Sequence, residues 1–70
     1  MQHPNDLLTI GTRSYLLEID PSGVGHAWRP VALADIDPDD LEVIEGEILD
    51  GKQESGRVRI VDRHYRWRRA

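Results

Sequence analysis

Fifteen residues constrain this chain more than any others. The run from Gly56 to Ala70, G-R-V-R-I-V-D-R-H-Y-R-W-R-R-A, sets six arginines (57, 59, 63, 66, 68 and 69) against one acid, Asp62. Its formal charge is +5, whereas Met1 to Ser55 holds three basic residues (Arg13, Arg29 and Lys52) and twelve acids, a formal −9. The net charge of −4 is therefore the sum of two opposed blocks, and a fold must decide what the arginines face. Within the run, Val58 and Ile60 alternate with Arg57 and Arg59, the two-residue period of a half-buried strand. Past Ile60 the parity slips, because Val61, Tyr65 and Trp67 are odd. The slip predicts a β-bulge near 60–62, or a strand that crosses onto a second sheet.

Upstream, Tyr15, Leu17 and Ile19 share one parity, with Glu18 opposite, which suits a strand with one face to a core. Asp20-Pro21-Ser22-Gly23 follows with the residue order of a type I turn. The expected partner strand is Val24 to Arg29, with Ile19 opposite Val24, Leu17 opposite His26 and Tyr15 opposite Trp28. Pro30 ends or edges that strand. Met1 to Asp6 lacks periodicity and reads as a flexible arm, leaving 7–70 as one small domain.

Two readings compete for the acidic stretch after Ile36. Asp37 as N-cap, Pro38 at the first helical position, early acids and Gly51 beyond the end describe a helix over 38–50. Leu41, Ile44, Ile48 and Leu49 fit its stripe. Against it stand Gly46 and the β-branched Val43, Ile44 and Ile48. As a strand, Val43 to Leu49 pairs with Arg57 to Val61, Ile48 facing Val58 and Glu47 facing Arg59, so that both faces are satisfied. The strand reading is preferred. The expected fold is all-β, a small antiparallel barrel or sandwich of four to five short strands, with α+β carrying one helix near 38–50 as the alternative.

Composition bounds the function. Seventy residues without cysteine offer neither a disulfide staple nor a thiolate metal site, and unstapled scaffolds of this size have only about 3–5 kcal/mol of net stability. No signal peptide or membrane-length apolar run is visible, so the expected location is cytoplasmic. Asp35 to Asp39 mimics the opening of a calcium loop, but Asp40 and Gly46 stand where glycine and glutamate are needed. His3, His26 and His64 lack ligand spacing, and Ser14, Ser22 and Ser55 lack a nucleophile signature. No enzyme activity, cofactor or metal is expected.

What remains is binding. The acids Asp35, Asp37, Asp39, Asp40, Glu42, Glu45 and Glu47 form the first expected contact surface, one that docks on a basic partner protein as an inhibitor or nucleic-acid mimic would. Arg63, Tyr65, Arg66, Trp67 and Arg68 interleave charge with aromatic rings. They form a second expected surface, for single-stranded RNA or DNA. Against direct nucleic-acid binding stands the pI of about 5.2. The same strand would also serve as the seam of a homodimer or larger assembly. Small, acidic, cysteine-free chains of this kind are common among accessory proteins of phages and mobile elements.

Overall fold

Chemistry at Asp37 decides between helix and strand. In the computed structural model, which describes residues 7–22 and 24–70, the Asp37 carboxylate accepts the Asp39 N–H at 2.9 Å and caps helix α1, Pro38–Leu49. Pro38 begins the helix and Asp39 and Asp40 occupy its first turn, where the exposed N–H groups favour negative charge. The preferred strand over 43–49 is thus corrected. Ile44 and Ile48 become fully buried, which stabilises by about 1.5–3 kcal/mol each. That outweighs about 1 kcal/mol for Gly46 and roughly 0.5 kcal/mol for each β-branched residue. The expected arm, 1–6, and Gly23 of the expected turn lie outside the described residues.

The strands are β1 (Leu8–Ile10), β2 (Arg13–Asp20), β3 (Arg29–Pro30), β4 (Ser55–Ile60) and β5 (Arg63–Arg69). They form an antiparallel sheet in the order β1-β2-β5-β4, with the short β3 beside the second half of β2. Among the described residues this sheet does not close into a barrel, and α1 covers one of its faces. The expected four to five short antiparallel strands are present, but with α1 the architecture is α+β, the alternative reading, and not a closed barrel. Tyr15 and Leu17 of β2 and Tyr65 and Trp67 of β5 are buried with Leu8, Ile36, Ile44 and Ile48. Two of the aromatics tie the exit of the helix to the sheet: the Tyr15 hydroxyl donates to the Gln53 carbonyl at 2.7 Å and the Trp67 indole to that of Lys52 at 3.0 Å.

The expected hairpin after Asp20 does not form in the expected register. Tyr15 lies opposite Leu8 and Arg69, and Leu17 opposite Trp67. Only Arg29 and Pro30 return, beside Ile19 and Glu18. The cause is Asp20, whose side chain is fully buried. Its carboxylate accepts from the Ser22 N–H and hydroxyl and from the Gly25 N–H, drawing 20–25 into a closed loop. Burial raises its pKa. Hydrogen bonds from the Ser22 side chain and from the backbone of Gly25, Ser22 and His26 outweigh that and hold it at about 2. Trp28 leaves the loop onto the uncovered face of the sheet, its indole donating to the Gly25 carbonyl at 3.1 Å.

The parity slip is a chain reversal. Ile60 pairs with Arg63, so Val61 and Asp62 alone make the turn of a hairpin, and neither a bulge nor a sheet crossover is present there. Val61 has φ 58°, while Asp62 does not have positive φ, the pattern of a II′ turn, which calls for glycine at its first position. A β-branched residue in this region costs about 1–2 kcal/mol, and Val61 is 82% exposed, so it packs on nothing. Val61→Gly is expected to stabilise by about 1 kcal/mol after the unfolded chain's gain in freedom. Thermal unfolding followed by circular dichroism should show a midpoint about 5 °C higher; an unchanged or lower midpoint would contradict the strained turn.

Candidate functional site

Charge is divided between the two layers. On the uncovered face of the sheet the side chains form cross-strand rows. Leu16, Arg68 and Ser55 make one, Glu18, Arg66 and Arg57 the next, and Asp20, His64 and Arg59 the third. Four arginines therefore share this face. Arg66 is fixed by Glu18 at 2.6 Å and by the Trp28 ring, whose centre lies 4.4 Å from the guanidinium carbon. Trp28 also leans on His64, ring centres 4.9 Å apart at 59°. A shallow groove of about 330 Å³ runs between Leu16, Glu18, Ser55, Arg66 and Arg68.

The opposite layer is acidic. Ile44 and Ile48 point α1 at the sheet, so its outward stripe is Asp39, Glu42, Val43, Gly46, Leu49 and Asp50, all exposed. Val43 is 43% and Leu49 62% exposed, on either side of Gly46. This is an apolar strip with carboxylates around it, and α1 carries no basic residue. Asp35 and Asp37 extend the acidic area at the entry to the helix and are exposed.

The structure divides both expected sets. Of the acids, Asp35, Asp37, Asp39 and Glu42 are exposed, and Glu45 is half-buried. Glu47 is held by Lys52 at 2.8 Å. Asp40 is 2% exposed and accepts from Arg63 at 2.6 and 2.9 Å and from the Tyr65 hydroxyl at 2.8 Å, so it ties helix to sheet and is closed to a partner. Of the second set, Arg66 and Arg68 reach the open face. Tyr65 and Trp67 lie in the core at 2% exposure, where neither ring face can stack on a base. Sequence reading passed over Val43, Gly46, Leu49, Arg57, Arg59 and Trp28. The alternation of Arg57 and Arg59 with Val58 and Ile60 already put both arginines on a solvent face; nothing local to Trp28 marks its place.

No protein-family model, curated protein or solved structure matches the chain. Its function is therefore read from its own surfaces.

Proposed function

We propose that the protein is a non-catalytic interaction module that docks on a partner protein through the outward face of α1. Gly46 is the observation that carries this reading. Glycine in mid-helix is destabilising by about 1 kcal/mol against alanine, and a Cβ built on Gly46 meets no atom within 4 Å. Nothing inside the fold requires glycine there. Between exposed Val43 and Leu49 it makes a saddle that lets a partner approach the helix backbone closely. An apolar centre inside a polar rim is the usual anatomy of a protein interface. Asp39, Glu42 and Asp50 on the rim steer toward a basic surface and repel an acidic one.

The same charges argue for a different protein as partner rather than a second copy. A two-fold seam along α1 would set the same acidic patch against itself; with antiparallel helices crossing at Gly46, Glu42 of each copy would face Asp50 of the other. A basic partner whose nucleic-acid site is filled by this helix fits the layout, which is the inhibitor or mimic form of the reading.

The test uses variants that separate binding from folding. Gly46→Ala is expected to raise stability by about 0.5–1 kcal/mol and yet to weaken capture of the partner. Charge reversal of Asp39, Glu42 and Asp50 should abolish capture with the fold intact; Asp40 is left alone because it is buried. Proteins retained from a source-cell lysate by wild type and by each variant, identified by mass spectrometry, give the comparison. Equal retention by all three would remove α1 as the docking face.

A further inference from the structure

We infer that the open face of the sheet is a second binding site, and that its ligand is the sugar-phosphate backbone of a single-stranded nucleic acid. Arg57 of β4 lies directly opposite Arg66 of β5, and Arg59 directly opposite His64. The Arg57–Arg66 pair sets like charges across the strands, which is destabilising. One acid, Glu18, stands in the row of Arg57 and Arg66, and Arg66 takes it at 2.6 Å. Asp20, in the row of Arg59, is engaged by Ser22 and Gly25. Among the described residues Arg57, Arg59 and Arg68 have no acid partner. The fold thus holds three unneutralised guanidinium groups on one surface with no internal gain, and an anionic ligand would relieve them.

The spacing selects a linear polyanion. Neighbouring strands are about 4.8 Å apart and alternate residues of a strand about 6.6 Å, comparable with the separation of successive phosphates along a chain. The groove beside Arg68 adds an apolar wall, Leu16, and the polar Ser55 and Glu18, a setting for one unstacked base. Only a single strand presents its bases that way. The acids do not prevent this. The exposed acids of α1 lie in the opposite layer of a molecule whose shortest dimension is 20 Å, about two screening lengths at 0.1 M salt, and Glu18 on the open face is already paired with Arg66.

Fluorescence anisotropy with labelled oligo(dT) and oligo(U) of about ten nucleotides tests the site between 50 and 150 mM salt. With three phosphate contacts, the logarithm of the binding constant should fall against the logarithm of salt with a slope of about −2, roughly 0.7 per contact. Replacing Arg57, Arg59 and Arg68 together by alanine should weaken binding at least about tenfold, and each single replacement should remove one contact from the slope. The three arginines are surface groups without acid partners, and Arg57 faces Arg66, so the variant's melting midpoint should equal or slightly exceed that of the wild type. The corresponding triple lysine variant should retain most of the affinity. Absence of oligonucleotide binding by wild type at 50 mM salt, equal binding by the alanine variant, or equal competition by duplex DNA or by polyglutamate would overturn the assignment. Gly46→Ala should bind oligonucleotide as wild type does, so this site and the α1 surface stand or fall separately.

Discussion

Asp40→Ala should cost the fold about 3 kcal/mol. Removing one member of a buried ion pair is destabilising by about 3–5 kcal/mol when the other charge is stranded. Here the Arg63 side chain is 40% exposed, so water can take over part of its solvation and the lower end applies. The Tyr65 hydroxyl has no such recourse. It donates to Asp40 inside the core, and a buried donor without an acceptor costs about 1–3 kcal/mol by itself. Against about 3–5 kcal/mol of total stability for a small unstapled domain, this loss leaves about 0–2 kcal/mol, so that between a few per cent and about half of the protein is unfolded at 25 °C. Urea unfolding followed by tryptophan fluorescence measures it; a midpoint close to wild type would mean that Asp40 does not hold α1 to β5.

The same three groups shape both pH limits, and Asp20 adds to the acid one. Hydrogen bonding from Arg63 lowers the Asp40 pKa, burial opposes, and the Tyr65 hydroxyl and the Arg63 charge lower it further. A carboxyl whose folded pKa is depressed contributes stability above its unfolded value of about 3.9, and that contribution is lost as pH falls below it. Tyr65 behaves oppositely. Burial, then the hydrogen bond to Asp40 and its charge, push its hydroxyl up to about 12. Its contribution is complete below the unfolded value of about 10 and fades as pH rises from 10 toward 12. Asp40→Ala should weaken both limbs without abolishing either, since Asp20, held at about 2, still supplies acid dependence and burial of Tyr65 still supplies part of the alkaline one.

Much of this arrangement was legible in particular residues, and the remainder is hidden for physical reasons. The shared parity of Tyr15, Leu17 and Ile19 gave the core face of β2, and Asp37-Pro38 gave the start of α1. Propensity undervalues the helix, because it counts Gly46 and the β-branched residues against it, while the burial of Ile44 and Ile48 is tertiary and larger. The hairpin between β4 and β5 leaves no local mark, because Val61-Asp62 contains neither glycine nor asparagine, the usual sign of a two-residue turn. The pairing of β2 with β5 joins residues more than forty positions apart, which no local pattern encodes. Asp20 opens a turn by its type, but its buried carboxylate closes a longer loop and sends Trp28 elsewhere. At the candidate sites, charge sign was readable along the chain, but which of two faces each charge occupies followed only from the strand register.

Gly56→Ala should be nearly as damaging as the loss of Asp40, and opposite in sign to the same change at Gly46. Gly56 lies across from Trp67 in the β4–β5 register. A Cβ there would stand 2.7 Å from Trp67 Cζ2, 3.0 Å from Cε2 and 3.1 Å from the Lys52 Cβ. The ring cannot easily yield, being 2% exposed and held by its indole hydrogen bond to the Lys52 carbonyl. Forcing a methyl group into a filled core costs about 1–3 kcal/mol, and the upper half of that range applies because the obstacle is a rigid aromatic ring. Alanine's lower freedom in the unfolded chain returns less than about 1 kcal/mol. Parallel urea curves for Gly56→Ala and Gly46→Ala should therefore shift in opposite directions, with the Trp67 emission altered only in the first. A Gly56→Ala protein as stable as wild type would mean that Trp67 does not lie over the strand. Gly56 is required by an atom of its own chain; Gly46 has no such neighbour, and for that reason the proposed docking face is centred on it.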